Sequence, residues 1–436
     1  MKFLVLLTLL FSGSVLSDVG MLYAPGAHNM GIGSQPDMES QDCSNTYYAP
    51  ALNSFIDSPK ISLNSLVVHH NLYEMNDIVV QNSLNSDDDI DFGDIDPNES
   101  TSAYHMTHFC FPFIKQFNTF LNISVTAPVT QIMEAKTVDS YEPTYYFENT
   151  QEKRTILRVS FTHKVDKYLA YSVGQKTSFN VFGETSFVSR YQGDDDYSSG
   201  EMDIQTKPSS ALIISAAYFF NEESYAFFSF IDELKTEMVT TSEGFTPLGD
   251  AIVPYDFTIT SIIYYDPRVI SFGHGQKINN FYYAVSLEYH DWSGYESSKM
   301  KITRNSGIIK KSKNYETIKT NNIFVPKFGL KYNHGKSFFS GGYFYRPRAI
   351  ISNLNSSGNT IDLNSHNFTL GYERNLSVFK WPLSLSVGYM LREYEDLSVD
   401  KSSDMENGDD GKKIGYGGFT AGGQVHSMSF GINWKI

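Results

Sequence analysis

Apolar and polar residues alternate with a period of two along much of the chain, as they do in a β-strand whose two faces meet different surroundings. Residues 281–290 show this pattern clearly. One face carries Phe281, Tyr283, Val285, Leu287 and Tyr289, and the other carries Tyr282, Ala284, Ser286, Glu288 and His290. At residues 425–436 the apolar face carries Met428, Phe430, Ile432, Trp434 and Ile436. The pattern predicts a β-strand in each of these segments.

Alternating segments bounded by turn residues recur from residue 61 onward. We predict about fourteen strands from these segments. They lie at residues 61–70, 105–115, 118–128, 154–164, 168–181, 210–220, 224–234, 267–276, 280–291, 323–333, 337–346, 365–374, 382–394 and 425–436. The fold class that follows is all-β.

The connections between these strands alternate between long and short. The acidic segment after the first strand is the first long connection, and six others lie at residues 129–153, 182–209, 235–266, 292–322, 347–364 and 395–424. Bacterial outer-membrane barrels have short turns at one end, long loops at the other and an even number of strands. A soluble β-sandwich also alternates, but it has no reason to keep its long loops at one end. We therefore expect a transmembrane antiparallel β-barrel of about fourteen strands.

Two segments before the first strand do not alternate. Residues 1–17 combine Lys2 with a short apolar run, and small residues Val15 and Ser17 suit a cleavage site, so we expect a secretory signal peptide. A core helix is the alternative for this segment. Residues 18–60 are rich in Gly, Pro, Asn and Ser, and we expect them to plug the barrel as a hatch, with a periplasmic leader as the alternative. The barrel itself is expected at residues 61–436.

Composition agrees with an exported barrel. Hydrophobic residues make up 41% of the 436 residues, and the chain has 29 Tyr and 32 Phe. A net charge of -15 opposes binding to nucleic acid. A chain with this many aromatic residues is also not expected to be intrinsically disordered.

Three stretches of the chain point to a known family. Residues 265–297 contain Pro267 and Gly273 and a strand that ends at Trp292, residues 47–55 contain Pro50 and Ala51, and residues 165–175 form a turn followed by a strand. These stretches resemble the outer-membrane long-chain fatty acid and hydrocarbon transporters of the FadL/TodX type, and Pro50 and Ala51 match an Asn-Pro-Ala motif of that family's hatch. The resemblance spreads over nearly all of the chain after residue 17. It implies a fourteen-stranded barrel with an N-terminal hatch, which binds hydrophobic ligands and releases them through an opening at a kinked strand.

The sequence departs from the family at two places. Ala49 stands where the hatch has Asn, and Pro128 lies in the region of the kink, where the family favours Gly. The last strand also resembles the C-terminal signal by which outer-membrane barrels are recognised for assembly, but it has Trp434 and Ile436, whereas that signal usually ends on Phe or Trp.

The resemblance also implies the partners. We expect a long-chain fatty acid or other hydrophobic ligand, contact with outer-membrane lipid and lipopolysaccharide, recognition by the barrel assembly machinery, a monomer, and no cofactor. Candidate ligand contacts are apolar residues of the hatch and the large loops, namely Tyr23, Tyr47, Phe245 and Phe257. No basic residue could be assigned to a ligand head group.

Two cysteines predict a disulfide. Cys43 lies in the expected hatch, and Cys110 lies on a strand whose opposite face carries Phe109, Phe111 and Phe113. If those rings face lipid, Cys110 faces the lumen, where it can bond to Cys43. An exported protein with an even number of cysteines favours this pairing. Two buried free thiols are the alternative.

Acidic residues, histidines and enzyme motifs were compared with the patterns of metal-binding and catalytic sites. The aspartates within residues 86–96 could bind divalent cations, but their spacing does not fit an EF-hand. His69, His70, His105 and His108 flank that acidic loop, and we expect rim histidines rather than a metal site. We find no Gly-x-Ser-x-Gly, His-Glu-x-x-His or Cys-x-x-Cys motif and expect no enzyme. A polar-solute porin and a structural or receptor barrel remain as alternatives.

Overall fold

The structure is a computed structural model that describes part of the chain. It covers residues 19–39, 42–56, 58–81, 91–98, 101–129, 142–149, 155–178, 182–190, 197–248, 251–295, 301–305, 318–356, 358–378, 381–401 and 414–436. The segment predicted as a signal peptide, residues 1–17, lies outside the described residues, as do residues 86–90 of the acidic segment 86–96.

Fourteen antiparallel strands in the described part of the chain form a closed barrel. They are β1 (Lys60–Leu72), β2 (Ser102–Ile114), β3 (Thr119–Pro128), β4 (Ile156–Lys164), β5 (Leu169–Ser178), β6 (Ser209–Asn221), β7 (Ser224–Ile231), β8 (Arg268–Ile278), β9 (Phe281–Asp291), β10 (Ile323–His334), β11 (Ser337–Arg346), β12 (Ser365–Val378), β13 (Trp381–Val399) and β14 (Phe419–Lys435). Each predicted strand overlaps one of these strands, so the predicted fold class is confirmed.

The ring closes where β1 meets β14. Their pairing runs from Lys60↔Lys435 to Leu72↔Gly423, and β1 also pairs with β2 from Lys60↔Cys110 onward. Closure gives every wall strand two hydrogen-bonded neighbours, so the sheet leaves no unpaired edge. The end of the barrel from which the long connections emerge is called the loop end below, and the opposite end the turn end.

The outward face of the wall is apolar. Along β14, the outward side chains Met428, Phe430 and Ile432 are between 41% and 47% exposed, whereas Ser427 and Ser429 between them are buried. Further exposed apolar side chains of the wall are Leu63, Val67, Phe161, Val173, Leu212, Ile214, Phe272, Val285, Leu287, Phe328, Leu330, Phe368, Leu370 and Leu385. An apolar band of this extent is the surface that a bilayer covers.

The helices of the structure are short. They are α1 (Val19–Tyr23), α2 (Ala27–Gly31), α3 (Asn45–Tyr48) and α4 (Tyr146–Asn149), with 3-10 turns at Pro50–Phe55 and Lys115–Phe117. Among the described residues, no helix has the length and apolarity needed to cross a bilayer.

The hatch, defined here as residues 19–56, crosses the lumen. Helix α2 contacts β1, β11, β12, β13 and β14, and the Pro50–Phe55 turn contacts β3, β4, β5 and β6. These two groups of strands lie on opposite arcs of the ring, so the segment that touches both must run through the interior. The expectation of a plug inside the barrel is confirmed.

Glycines let the hatch backbone lie directly against the wall. A Cβ atom at Gly371 of β12 would lie only 2.8 Å from the Cα of Gly31 in α2. A Cβ atom at Gly388 of β13 would collide with the carbonyl oxygen of Ala27. Both positions exclude a side chain because real Cβ contacts are longer.

A disulfide also joins the hatch to the wall. Cys43 and Cys110 are bonded, and their Cα atoms are 5.5 Å apart. Both side chains are buried, and Phe113 on the other face of β2 is exposed. The structure therefore has the arrangement that the face argument predicted for Cys110.

Several predicted loops contain strands of their own. A separate five-stranded sheet, called the outer sheet, has the order Lys301–Asn305, Ala251–Asp266, Leu234–Leu248, Tyr197–Thr206 and Phe182–Arg190. Smaller pairs join Met75–Gln81 to Asp91–Ile95, Thr144–Tyr145 to Thr360–Ile361, and Lys319–Thr320 to Ile350–Ile351. The connections at 182–209, 235–266 and 292–322 are thus long, as predicted, and their described parts contain strands.

Candidate functional site

Helix α4 folds inward at the loop end of the barrel. The two residues before it, Thr144 and Tyr145, pair in parallel with Thr360 and Ile361. The phenol oxygen of Tyr145 accepts a hydrogen bond from the backbone N–H of Gly422, at 2.9 Å. These contacts place α4 above the hatch.

An aromatic cluster surrounds the first turn of α4. We give this name to Tyr146, Phe147, Tyr265, Trp292 and Tyr295. The Trp292 ring is fully buried and lies edge-on to Phe147, with the ring centres 5.8 Å apart. It also contacts Tyr265 at 5.6 Å and Tyr146 at 6.3 Å. Such rings form a large apolar surface with preferred edge-to-face geometry.

The carboxylate of Glu148 is buried next to the aromatic cluster. Its Oε1 accepts hydrogen bonds from Arg392, with Nη1 at 2.9 Å, and from the Tyr394 hydroxyl. Its Oε2 accepts from the Tyr23 hydroxyl and lies 3.1 Å from Nε2 of His70. We call these four partners the carboxylate pocket. The pocket joins the hatch, β1 and β13 around a single residue of α4.

Electrostatics in the carboxylate pocket favour the ionised acid. Burial alone raises the pKa of Glu148, but the positive charge of Arg392 and the hydrogen bond with His70 lower it further than burial raises it. The pKa of this carboxyl is therefore well below its usual range, and Glu148 is an anion at neutral pH.

Arg392 has partners besides Glu148. Its Nε donates to Oδ1 of Asn367 at 2.9 Å, and its Nη2 donates to the carbonyl oxygen of Leu22 at 2.6 Å. The guanidinium also lies 4.9 Å from the centre of the Tyr23 ring. The cation is thus held in place by the wall and the hatch independently of α4.

A second buried group of charges lies between the hatch and the wall. The hatch charge cluster consists of His28 and Asp37 from the hatch, Lys331 from β10 and Glu373 from β12. Nδ1 of His28 is 2.8 Å from Oε2 of Glu373, and Nζ of Lys331 is 3.0 Å from Oδ2 of Asp37. With His28 protonated, two cations face two anions, which compensates their burial.

The pKa of His28 reflects these neighbours. Burial and the charge of Lys331 lower it, but the carboxylates of Asp37 and Glu373 outweigh both and raise the pKa of His28 to about 9. The pKa of Asp37 is lowered, because Lys331 and His28 together outweigh the effect of burial.

The structure does not gather the four predicted ligand residues into one site. Tyr23 lies in the carboxylate pocket. Tyr47 lies in another part of the hatch, where the guanidinium of Arg158 is 3.7 Å from the centre of the Tyr47 ring. Phe245 and Phe257 lie on adjacent strands of the outer sheet, which is separate from the sheet of the barrel wall. Their role in ligand binding stays a prediction.

The predicted hatch motif docks on the wall. The carbonyl oxygen of Pro50 accepts a hydrogen bond from Oγ1 of Thr162 at 3.1 Å, and the N–H of Ala51 donates to Oγ of Ser215 at 2.9 Å. These bonds attach the motif to β4 and β6. They give it a positioning role.

In the region of the expected kink, β3 ends its hydrogen-bonded pairing with β2 and with β4 at different residues. Strand β3 pairs with β2 as far as Tyr104↔Pro128, but it pairs with β4 only as far as Thr126↔Ile156. Pro128 is thus the last residue of β3 and does not bend its middle.

In the described part of the chain, no three His, Cys, Asp or Glu side chains are grouped as metal ligands would be.

Sequence reasoning missed the residues at the centre of the site, Glu148, Arg392 and Trp292. Two signals were present. Arg392 falls on the polar, inward face of β13 in the alternation, where a buried cation requires an anion. Glu148 ends the aromatic run 145–147 in a predicted connection, an unusual place for three consecutive aromatic residues.

Comparison with known proteins gives similarity at the level of structure. No protein-family model matches this sequence, and no curated protein aligns with it significantly. A FadL homologue of Pseudomonas aeruginosa is similar over 97% of this chain and 99% of that chain, with 11% identity and a TM-score of 0.60. The toluene transporter TodX of Pseudomonas putida is similar over 94% and 97%, with 11% identity and a TM-score of 0.50.

A third structure, the monoaromatic hydrocarbon channel CymD, is similar over 97% of this chain and 98% of that chain, with 9% identity and a TM-score of 0.50. The chain therefore has the fold of these channels, as the resemblance in sequence implied. Its sequence has diverged widely from theirs.

Proposed function

We propose that this protein lies in the outer membrane of a Gram-negative bacterium and passes hydrophobic small molecules, such as long-chain fatty acids, across it. The barrel binds the molecule and relays it past the hatch without covalent chemistry. The observation that carries the proposal is the buried aromatic cluster at the loop end, directly above the hatch.

The physical chemistry of the cargo supports this route. A water-filled pore offers no gain to an acyl chain, whereas an apolar site stabilises it by about 0.8 kcal/mol for each buried methylene. Tyr146, Phe147 and Trp292 are buried side chains of this kind. The closed wall separates them from the apolar band that faces lipid.

The organisation of the chain supports the location. The apolar outer band is what a bilayer covers, and the segment 1–17 predicts export. We propose that residues 18–60 are the hatch and 61–436 the barrel, that the monomer contacts lipid and lipopolysaccharide, and that the barrel assembly machinery inserts it. The structural neighbours include a toluene transporter and a monoaromatic hydrocarbon channel, which supports a hydrophobic cargo.

The rival functions differ in what the lumen does. A polar-solute porin needs a continuous aqueous path, but the hatch contacts opposite arcs of this wall. Planar-bilayer conductance separates the two: we expect little steady current from this protein, and a large steady current would contradict a plugged route.

A structural or receptor barrel transports nothing. We expect a deletion strain to take up radiolabelled oleate more slowly than wild type, with recovery when the gene is restored. Equal uptake by the deletion strain and wild type would favour the structural rival.

A further inference from the structure

Part of this chain has the chemical form of an amphiphilic ligand. Tyr146 and Phe147 form an apolar body inside the aromatic cluster, and Glu148 forms a carboxylate head inside the carboxylate pocket. We propose that residues 146–148, called the internal ligand, compete with a carboxylate-bearing amphiphile for the aromatic cluster and the carboxylate pocket. The ligand's carboxylate replaces that of Glu148, and its hydrocarbon chain replaces the two rings. The inference rests on the proposed function and concerns how entry of its ligand is controlled.

The pocket is built for a carboxylate. Each oxygen of Glu148 meets two polar partners: Arg392 and Tyr394 at Oε1, and Tyr23 and His70 at Oε2. Two oxygens with paired donors are the pattern that a carboxylate accepts. The four partners are almost fully buried, so water does not replace them readily.

Charge decides which ligand can enter. Displacement of Glu148 leaves Arg392 in place, because Asn367 and the carbonyl of Leu22 continue to hold its guanidinium. A buried cation without an anion is strongly unfavourable. A neutral hydrocarbon or alcohol therefore cannot replace the internal ligand at equal strength, whereas a carboxylate restores the ion pair.

The contacts of Phe147 and of Thr144, just before the internal ligand, are those that an entering ligand must break. The guanidinium of Arg346 lies 4.0 Å from the centre of the Phe147 ring, and Arg346 is itself paired with Asp362. The N–H of Thr144 donates to the carbonyl oxygen of Asn359 at 2.9 Å. These contacts hold residues 146–148 in the carboxylate pocket, so the internal ligand is also an autoinhibitory contact.

Two substitutions separate the two parts of the proposal. Glu148→Gln removes the charge of the competitor, so oleate should bind about tenfold more tightly, equivalent to roughly 1.4 kcal/mol. Arg392→Gln removes the cation, so the preference of the purified protein for oleate over oleyl alcohol should disappear. Glu142→Gln is the matched control, because its carboxylate lies on the same segment but is exposed.

A second measurement follows displacement in the otherwise unmodified pocket. The chain has three tryptophans, so a variant with Trp381→Phe and Trp434→Phe reports from Trp292 alone. Oleate should change the emission of Trp292, because Phe147 and Tyr146 leave its surroundings. Oleyl alcohol at the same concentration should change it far less.

The outcomes are distinct. Unchanged oleate affinity in Glu148→Gln, or a preference for oleate that persists in Arg392→Gln, would overturn the inference. An equal response of Trp292 to oleate and oleyl alcohol would also overturn it. In each case uptake of oleate by cells would leave the proposed function standing. If neither ligand binds and cells show no uptake, the proposed function fails as well.

Discussion

The imidazole of His28 in the hatch lies 2.8 Å from the carboxylate of Glu373 in the wall, measured from Nδ1 to Oε2. Asp37 lies on the other side of the ring, paired with Lys331. A titratable hatch residue thus sits between two carboxylates inside the barrel. Its protonation is linked to the docking of the hatch.

We expect the protein to lose stability between neutral and alkaline pH. The pKa of His28 rises from 6.5 to about 9 in the folded protein. Its contribution is therefore fully present below pH 6.5 and is lost as the pH rises through about 9, by an amount on the order of 3 kcal/mol. The lowered pKa of Asp37 acts in the acid range: its contribution is present above the ordinary value of 3.8 and is lost as the pH falls through the folded value.

Denaturant unfolding in detergent micelles at pH 7 and pH 10 measures the alkaline loss. His28→Gln should remove most of the difference between the two pH values. His334→Gln is the control, because that histidine is exposed at a tight turn. An equal pH dependence in wild type and His28→Gln would contradict the assignment.

The disulfide between Cys43 and Cys110 should be present in the purified protein. Its mass without reductant should be lower than the reduced mass by two thiol hydrogens. Replacement of both residues by Ser should destabilise the protein by about 4 kcal/mol, because the bond closes a loop of 67 residues. Recovery of two free thiols from the untreated protein would refute the bond.

The pair of Glu148 and Arg392 should show strong coupling. Arg392→Met alone leaves a buried carboxylate without its cation and should cost about 3–5 kcal/mol of unfolding free energy. The double variant with Glu148→Gln should cost less than the sum of the single variants, because neither charge is then left alone. Additive losses in a double-mutant cycle would mean that the two residues do not act as a pair.

The close approach of hatch and wall at Gly371 should not tolerate a side chain. Gly371→Ala places a methyl group 2.8 Å from the Cα of Gly31, and overpacking of this kind costs about 1–3 kcal/mol. Gly341→Ala is the matched control on β11, because its nearest neighbour lies at 3.6 Å. Thermal unfolding of the two variants should differ, and equal melting temperatures would contradict the contact.

A charged side chain in the apolar band on the outward face of the wall should destabilise the protein in a bilayer. Leu370 is 64% exposed on β12, so Leu370→Arg places a guanidinium in lipid and should cost about 2–4 kcal/mol if the position lies near the bilayer midplane. Leu370→Ala is the control for lost apolar area. Folding yield into lipid vesicles measures the effect, and equal yields for Arg and Ala would argue against lipid contact at this position.

The wall could be predicted because its signal is local. On β13 the alternation places Leu385 outward and Arg392 inward, and the structure agrees, with Leu385 39% exposed and Arg392 buried. The long connections were less predictable. At residues 235–266 the sequence indicated a loop, yet Leu234–Leu248 and Ala251–Asp266 form a hairpin in the outer sheet. Strands outside the bilayer lack the strict contrast between a lipid face and an interior face.

The candidate site could be predicted only in part. The face argument for Cys110 required knowledge of one strand, and the position of Cys43 in the hatch followed from its place before the first strand. Tyr23 was expected to face a ligand, but its partnership with Glu148 joins residues 125 positions apart. No local pattern contains that information.

The sequence by itself determined the fourteen wall strands and which side chains face outward, because each strand separates two environments and the period of two records that separation residue by residue. Only the tertiary structure decided which inward residues meet. Arg392 and Glu148 are 244 positions apart and come together because closure of the ring and insertion of the hatch bring α4 over β13. A buried charge needs a partner, but the identity of that partner depends on the geometry of the closed barrel.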